Sequence, residues 1–354
     1  MILVTAAHGN QGRLLVPKLL AAGQRVRACV QTEASADSLR RLGVQDVVVG
    51  DLGEPAVLRQ VVSGVRAVYH VGPTLHPQER EMGFGVVDAA RHEGVEHVVF
   101  SSVLHSIATG LVQHEIKRDV EEHLVDSGLE FTILQPANYM LPLKLVPVFE
   151  RGVFELSWSL DRRQSMVDLD DVTDVACAVL GDRADHVGAA YELVGPGRYT
   201  AHELGEILSR VLGRRIEVRE IDADTYLKAW VGDADPARFT HQARVLRAIS
   251  THYSAHDFVG NPNVLTWLLD RPRPPSRNTC NATATHTWRA PDHEAHRTLR
   301  PGHRRRHRNR EGARRGAAPP REPGDHRRSP GARPAGSGRR QPGHGCAYPG
   351  CVRP

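Results

Sequence analysis

The segment at residues 2–12 brings together residue types that can bind a phosphate group. It reads Ile-Leu-Val-Thr-Ala-Ala-His-Gly-Asn-Gln-Gly, an apolar run that leads into Gly9 and Gly12. A strand that runs into a glycine-bearing turn and a helix presents backbone N–H groups to a pyrophosphate, as dinucleotide-binding folds do. Ala6 stands where the usual pattern has its first glycine, and a positive φ there would cost about 1 kcal/mol. Two glycines after a strand also make ordinary strand-to-helix turns, so the loop alone leaves both interpretations open.

The ends of later strands supply further candidate contacts for a nucleotide. Asp51 and Leu52 follow the third predicted strand. A carboxylate there could accept a hydrogen bond from an adenine amine, and a turn or helix N-cap is the equal alternative. Gly72 and Pro73 end the fourth strand and Ser101 ends the fifth, where small residues let the backbone approach a cofactor.

The residue that would choose between the two nicotinamide nucleotides is missing from its usual place. At the end of the second strand, an acid binds the ribose 2′-hydroxyl of NAD, whereas an arginine pairs with the 2′-phosphate of NADP. This chain has Gln31 there, and Arg13 and Arg27 nearby are more readily explained as solvated surface residues. The sequence therefore predicts NADP or NAD as cofactor, without a preference.

One lysine is placed to act at the reacting end of a nucleotide. Lys117 is among only four lysines and lies about one turn into the helix after the fifth strand. It could hydrogen-bond the nicotinamide ribose hydroxyls, and we predict it as the catalytic residue, with a solvated lysine on an amphipathic helix as the alternative. The usual dehydrogenase route also needs a tyrosine four residues earlier, where this chain has Gln113. His105, His114, Tyr139 and Lys144 could serve as alternative acids or substrate contacts, with a structural role as the alternative for each, and we predict Tyr139 and His105 as the substrate contacts.

Strand and helix patterns alternate over the first 136 residues. Apolar runs predict strands at 2–5, 25–30, 46–49, 66–71, 97–101 and 130–134, with helices at 11–22, 35–42, 55–63, 80–92 and 114–127. This alternation predicts a doubly wound parallel sheet, which binds ligands at the carboxyl ends of its strands. After Pro136, predicted strands at 152–158, 190–194 and 216–221 and helices at 170–180 and 201–212 indicate a small α+β lobe. We predict a nucleotide-binding domain at 1–136, a substrate or partner lobe at 137–270 and a tail at 271–354.

The composition changes sharply near Asp270. Residues 271–354 carry 20 Arg, no Lys and 5 acidic residues, a balance of +15, which leaves 26 basic and 36 acidic residues, −10, before them. The tail holds one Leu, one Val and no Ile, Phe or Met, so it is predicted to be disordered. Its Arg, Pro and Gly bias supports the hypothesis of a GC-rich gene read in a shifted frame. A basic nucleic-acid arm is the alternative, which the lack of interleaved aromatic residues disfavours.

The remaining composition limits location and metal chemistry. No cationic segment followed by an apolar one begins the chain, and no apolar run reaches the roughly 18 residues that span a bilayer. We therefore expect a cytoplasmic protein without membrane contact. The five cysteines form no disulfide framework, and no histidine spacing resembles a zinc site, so no metal is predicted.

The chain resembles the NmrA-like branch of the atypical short-chain dehydrogenase/reductases. The resemblance is carried by residues 4–12, 26–28, 50–52, 100–105, 114–121, 127–136, 167–172 and 191–193. The combination of the opening loop, Ser101-Ser102-Val103, Lys117 and the strand Thr132-Ile133-Leu134-Gln135-Pro136 is specific. The resemblance spans about residues 1–270, and we expect it to stop where the composition shifts.

The resemblance implies an NAD(P)-binding Rossmann domain with a small C-terminal lobe. Family members divide between NAD(P)H-dependent reductases of quinones or related molecules and redox-sensing regulators that do not turn the nucleotide over. We expect an oxidoreductase acting on a quinone or similar small acceptor; a non-catalytic sensor with a regulatory protein partner is the alternative. Together, the residues and the resemblance predict cofactor contacts at Ala7, His8, Gly9, Asn10, Gln11, Gly12, Gln31, Asp51, Leu52, Gly72, Pro73, Ser101 and Lys117.

Overall fold

Strands and helices alternate along the chain as the sequence predicts. The computed structural model describes residues 1–108, 110–140, 145–232 and 235–270, and the predicted tail at 271–354 lies outside them. The strands are β1 (Ile2–Val4), β2 (Val26–Val30), β3 (Asp46–Val49), β4 (Ala67–Val71), β5 (His97–Ser101), β6 (Phe131–Pro136), β7 (Asn138–Tyr139), β8 (Val153–Leu156), β9 (Met166–Val167), β10 (Ala189–Leu193) and β11 (Glu217–Glu220). The helices are α1 (Gly12–Ala21), α2 (Glu33–Arg41), α3 (Pro55–Val62), α4 (Glu79–His92), α5 (Val112–Asp126), α6 (Val146–Arg151), α7 (Leu169–Gly181), α8 (Ala201–Leu212), α9 (Ala223–Val231), α10 (Thr240–Ala255) and α11 (Asn263–Leu268).

Seven parallel strands form the main sheet. Their order is β10-β6-β5-β4-β1-β2-β3, so the chain starts in the middle, winds to one edge and then returns to build the other. Val-rich runs suit these strands because β-branched side chains pack well on a sheet that is covered on both faces. This is the predicted doubly wound Rossmann fold.

Apolar side chains on both faces of the sheet form two separate cores. One core contains Leu15 and Leu19 of α1, Leu39 of α2 and Val172 of α7. The other contains Val61 of α3, Val86 of α4 and Leu124 of α5. Each helix therefore buries one apolar stripe against the sheet, as the 3.6-residue periodicity predicts.

The edge strand β10 corrects one detail of the prediction. The sequence places residues 190–194 in the smaller lobe, because they come after the regular alternation has ended. In the structure, Ala189 to Leu193 pair in parallel with Thr132 to Pro136 of β6. A short strand carries no signal for which partner it joins, so its place in the main sheet could not be foreseen.

The smaller elements lie between and after these strands. Strands β8 and β11 form a two-stranded parallel sheet, whose core contains Val148, Phe154, Leu156, Ala201 and Ile216. Helix α8 begins with a capping box, in which Thr200 and Glu203 satisfy each other's backbone N–H groups. Within the described ranges, no helix is long and apolar enough to cross a membrane.

Candidate functional site

The candidate site lies where the winding of the sheet changes direction. Strands β1 and β4 are neighbours there, although their following helices pack on opposite faces of the sheet. Thr5 ties the two strand ends together, because its Oγ1 accepts a hydrogen bond of 2.8 Å from the backbone N–H of Val71. A crevice at such a switch point is the usual ligand site of an open α/β sheet.

The turn after β1 has a left-handed residue at its start. Ala6 has a φ of +48°, a conformation that glycine adopts at lower cost. The carbonyl of Ala6 accepts a hydrogen bond of 2.8 Å from the Gly9 N–H, which closes the turn. The positive φ considered at Ala6 from the sequence is therefore present.

Gly12 allows helix α1 to begin directly against this turn. A Cβ at Gly12 would collide with the Ala7 carbonyl and lie 2.6 Å from the Ala6 carbonyl oxygen. This corrects the reason for expecting glycine there, since the missing side chain makes room for protein backbone rather than for a ligand. Gly9 and Asn10, in contrast, are exposed at the surface of the loop.

Several backbone donors at the start of α1 are left for a ligand. Among the residues that the structure describes, the N–H groups of Asn10, Gln11 and Gly12 have no hydrogen-bond acceptor. Such groups at a helix N-terminus bind anions through hydrogen bonds and the helix dipole. The loop therefore has the donors that a pyrophosphate requires.

The side chain of Gln11 has a different role from the one expected. Its Nε2 donates to Ser101 Oγ at 2.9 Å and to Tyr139 OH at 2.8 Å, and the Tyr69 hydroxyl donates to its Oε1. Gln11 is 5% exposed. Its amide is thus engaged inside the protein, so both amide hydrogens are already donated, and among the described residues only its backbone N–H is left without an acceptor.

These residues form a set that we call the Gln11 cluster, in which Gln11, Tyr69 and Ser101 are buried and Tyr139 is half-buried. Burial raises the pKa of Tyr139 to about 12, and it raises the pKa of Tyr69 as well. Both phenols are therefore neutral at pH 7 and can donate protons in hydrogen bonds. The cluster connects the turn after β1 with the middle of β4, the carboxyl end of β5 and strand β7.

Lys117 lies beside this cluster and is buried rather than solvated. Its Nζ is 3.5 Å from the Ser101 carbonyl oxygen and 5.3 Å from the centre of the Phe100 ring. It forms an ion pair with Glu79, at 2.8 Å from Oε1. A Cβ at Gly72 would lie 3.0 Å from Nζ and 2.9 Å from the same carboxylate oxygen. The structure therefore brings Gly72, Ser101 and Lys117 together, as the strand-end argument predicts.

Sequence reasoning missed Glu79. The predicted helix starts at Arg80, so Glu79 looked like an ordinary acidic residue before a helix. The signal was its spacing, because Glu79 is in register with Met82, Gly83 and Val86, which are all on the buried face of α4.

The residues predicted to contact adenosine, at the ends of β2 and β3, are more open. Gln31 is exposed at the end of β2, and the following Thr32 caps α2 by accepting a hydrogen bond from Ser35 N–H. Asp51 Oδ1 accepts a hydrogen bond of 2.8 Å from Gly53 N–H. This oxygen therefore stabilises a turn, which is the alternative that the sequence offered to an adenine contact. Leu52 packs partly against the core under α3.

The two arginines near this end differ in availability. Arg27 is paired with Asp46 and donates to the carbonyl of Ser63, which fixes it to the scaffold. Arg13 is exposed and its Nε donates at 2.8 Å to the carbonyl of His8 in the turn. Of the two, only Arg13 has its guanidinium at the mouth of the loop.

Comparison with known proteins assigns a family. A model of the NmrA-like family matches residues 1–295. The chain belongs to the NmrA-like family. The match continues beyond Asp270, which corrects our expectation that the resemblance stops there.

Relatives of this NmrA-like protein include enzymes and a regulator. It is 34% identical over 243 residues to (4-alkanoyl-5-oxo-2,5-dihydrofuran-3-yl)methyl phosphate reductase of Streptomyces griseus. The aligned region covers 67% of this chain and 82% of that reductase. The structure of NADPH-dependent quinone oxidoreductase of Escherichia coli, complexed with NADPH, matches 81% of this chain and 99% of that chain, with a TM-score of 0.66 and 23% identity. The structure of NmrA, a negative transcriptional regulator, in complex with NAD matches 80% of this chain and 94% of that chain, with a TM-score of 0.64 and 18% identity. These two structures share the fold of this chain.

The two predicted substrate contacts of this NmrA-like chain lie in different surroundings. Tyr139 belongs to the Gln11 cluster. His105, with a φ of +57°, accepts a hydrogen bond of 2.8 Å on its carbonyl from His114 Nδ1, and its ring packs edge-on against Phe258. Burial lowers the pKa of His114 to about 4, so its ring is neutral at pH 7. Lys144 lies outside the described residues.

Proposed function

We propose that this protein binds NADP(H) or NAD(H) along the carboxyl ends of β1, β4 and β5 and passes hydride to a quinone or similar small acceptor. The observation that carries the proposal is the set of unpaired N–H groups of Asn10, Gln11 and Gly12 at the sheet's switch point. The named relatives support it, because two are reductases and one of these is complexed with NADPH.

Each part of the site has a distinct task in this proposal. The turn from Ala7 to Gly12 binds the diphosphate through backbone N–H groups. Gln31, Asp51 and Leu52 face the adenosine. Gly72 and Pro73 let the chain pass close to the nucleotide, while Ser101 and Lys117 face the nicotinamide ribose. When bound, the reduced nicotinamide supplies the hydride.

The chain's own hydroxyl groups govern the proton that must accompany the hydride. Gln113 stands where a tyrosine acid would be, so that acid is absent. Tyr139 is a neutral phenol with a pKa of about 12, held by Gln11 and next to Ser101. It can donate a proton to a reduced acceptor, or solvent can supply that proton once the product leaves.

A second function is favoured by two observations at the same site. The tyrosine acid is replaced by Gln113, and the ammonium of Lys117 is already paired with Glu79. Both features suit a protein that binds the nucleotide and signals its redox state to a partner without turning it over. NmrA, whose fold this chain shares, is a negative transcriptional regulator.

One pair of experiments separates these functions. Calorimetry of the full chain with NADPH, NADP, NADH and NAD measures binding, and stopped-flow oxidation of bound NADPH with a panel of quinones measures turnover. Binding followed by oxidation supports the enzyme. Binding without oxidation by any quinone supports the sensor, and no binding of any nucleotide overturns both.

A further inference from the structure

The ion pair of Glu79 and Lys117 is buried on both sides. The side chain of Glu79 is 2% exposed and that of Lys117 is 7% exposed, and Nζ lies 2.8 Å from Oε1. Both carboxylate oxygens of Glu79 are buried, and neither has a hydrogen-bond partner among the described residues apart from this ion-pair contact. Glu79 is therefore held almost entirely by its interaction with Lys117.

Burial of this pair has a clear electrostatic consequence for Lys117. A lysine removed from water favours its neutral form unless an opposite charge lies within a few ångströms. The other described groups near Nζ are the Ser101 carbonyl and the Phe100 ring, which stabilise a cation more weakly than a carboxylate does. Among the described residues, Glu79 is thus the carboxylate in contact with the Lys117 ammonium.

Two histidines interact electrostatically with the pair from neighbouring elements. His70 of β4 has its pKa lowered to about 3, first by burial and then by the charge of Lys117, so it is neutral at pH 7. His241 of α10 has its pKa lowered, mainly by burial and also by Arg244, while Glu79 opposes the shift. Neither histidine supplies the negative charge that Lys117 requires.

We propose that Glu79 is a positioning residue that keeps the Lys117 ammonium charged and holds it beside Gly72 and Ser101, where the nicotinamide ribose binds. The inference rests on the proposed nucleotide site. It adds a residue on α4 to a lysine that α5 supplies, and it explains why a carboxylate is buried where an apolar residue would pack at lower cost.

The first test measures the charge of Lys117 directly. The chain has four lysines, so protein labelled with 13C-lysine gives few Cε signals. The signal that is missing from the spectrum of Lys117→Met is that of Lys117. In Glu79→Gln, we expect the Lys117 signal to titrate about 2 pH units lower than in the wild type. Glu115→Gln is the control, because Glu115 lies on the same helix as Lys117 but pairs with Arg80. An unchanged Lys117 titration in Glu79→Gln overturns the proposal.

The second test asks whether this charge serves the nucleotide. Calorimetry with NADPH from pH 7 to pH 9 should show an affinity loss of about fivefold or more in Glu79→Gln, because the lysine loses its charge-assisted hydrogen bond. Wild type and Glu115→Gln should change by less than about twofold. Equal pH profiles in all three proteins contradict the positioning role.

Two further outcomes are informative. If Glu79→Gln does not fold, Glu79→Asp keeps the charge but lengthens the contact, and the same downward shift of the Lys117 titration is expected on a smaller scale; no shift overturns the proposal. If the wild type binds no nucleotide, the proposed function fails. The titration then still decides whether Glu79 controls Lys117.

Discussion

The two ends of the candidate site are built from different chemical groups. At the end that we propose binds phosphate (the phosphate end), the donors are backbone N–H groups of Asn10, Gln11 and Gly12. At the end that we propose binds the nicotinamide ribose (the nicotinamide end), the polar groups are side chains: the Gln11 cluster and the ion pair of Lys117 with Glu79. Gln11 belongs to both ends, with its N–H at the first and its amide in the second.

The two ends should therefore tolerate different substitutions. Backbone donors depend on the path of the chain, so the phosphate end is sensitive to glycine positions and insensitive to the chemistry of its exposed side chains. The nicotinamide end depends on buried polar partners, each of which leaves others unsatisfied when it is removed. Substitutions can distinguish an end that depends on the path of the backbone from one that depends on buried polar side chains.

The largest effect is expected at Gly12. In Gly12→Val, the new side chain collides with the Ala6 and Ala7 carbonyls, so the turn must shift. We expect nucleotide binding to be undetectable and the free energy of unfolding to fall by about 3 kcal/mol. Calorimetry and urea unfolding measure the two effects.

Gly181→Ala is the matched control for this change. Gly181 ends α7, and a Cβ there meets no atom of the described residues within 4 Å. Its stability and nucleotide affinity should match those of the wild type. Full affinity in Gly12→Val at unchanged stability would show that the turn does not depend on close packing.

A smaller loss is expected when the Gln11 amide is removed. Gln11→Leu keeps the backbone N–H but removes one hydrogen-bond partner from each of the Tyr69 and Tyr139 hydroxyls. The free energy of unfolding should fall by about 2 to 3 kcal/mol in urea unfolding. Exposed Gln45→Leu should change it by less than about 0.5 kcal/mol. A Gln11→Leu effect as small as that of the control would show that the Gln11 cluster does not stabilise the folded state.

Buried His70, which interacts with the charge of Lys117, should also make the protein sensitive to acid. Burial lowers the pKa of His70 from 6.5 to about 3, so the folded protein binds fewer protons than the unfolded chain between these values. Stability is therefore complete above pH 6.5 and is lost as the pH falls, at up to about 1.4 kcal/mol per pH unit for this histidine.

Urea unfolding at pH 7 and pH 5 tests this sensitivity. His70→Asn should lose less stability than the wild type over the same interval, by about 1 kcal/mol or more. His97 and His114, whose pKa values burial lowers to about 4, contribute equally in both proteins. Identical losses would show that His70 is not buried in its neutral form.

The smallest effect is expected at Ala6. Ala6→Gly removes the cost of a left-handed alanine, but it also adds freedom to the unfolded chain. The net gain in the free energy of unfolding should be below about 1 kcal/mol, and nucleotide affinity should be equal or improved. A clear loss of affinity would mean that the loop depends on the Ala6 methyl group.

The sequence was sufficient to predict the local structure around the turn after β1. Glycine spacing and the order of strands and helices are local signals, and together they predicted the turn, the helix α1 and their place at the sheet's carboxyl edge. The conformation of Ala6 followed from the same pattern, because a position that usually holds glycine often requires a positive φ.

The nicotinamide end was less accessible to sequence reasoning. Lys117 could be found from its place after β5, but its partner Glu79 lies on another helix, and only packing decides that both are buried. The inward orientation of the Gln11 amide likewise depends on Ser101 and Tyr139, which are far away in sequence. Such pairings are properties of the folded chain.

Strand β10, which lies at one edge of the main sheet, affects how the chain behaves while it is being synthesised. Strand β10 pairs with β6, yet the two are separated in the chain by all the elements from β7 to α7. During synthesis, β6 therefore leaves the ribosome long before its neighbour and stays an open edge that other chains can pair with. Aggregation of nascent chains should thus be most acute for translation products that end before residue 189.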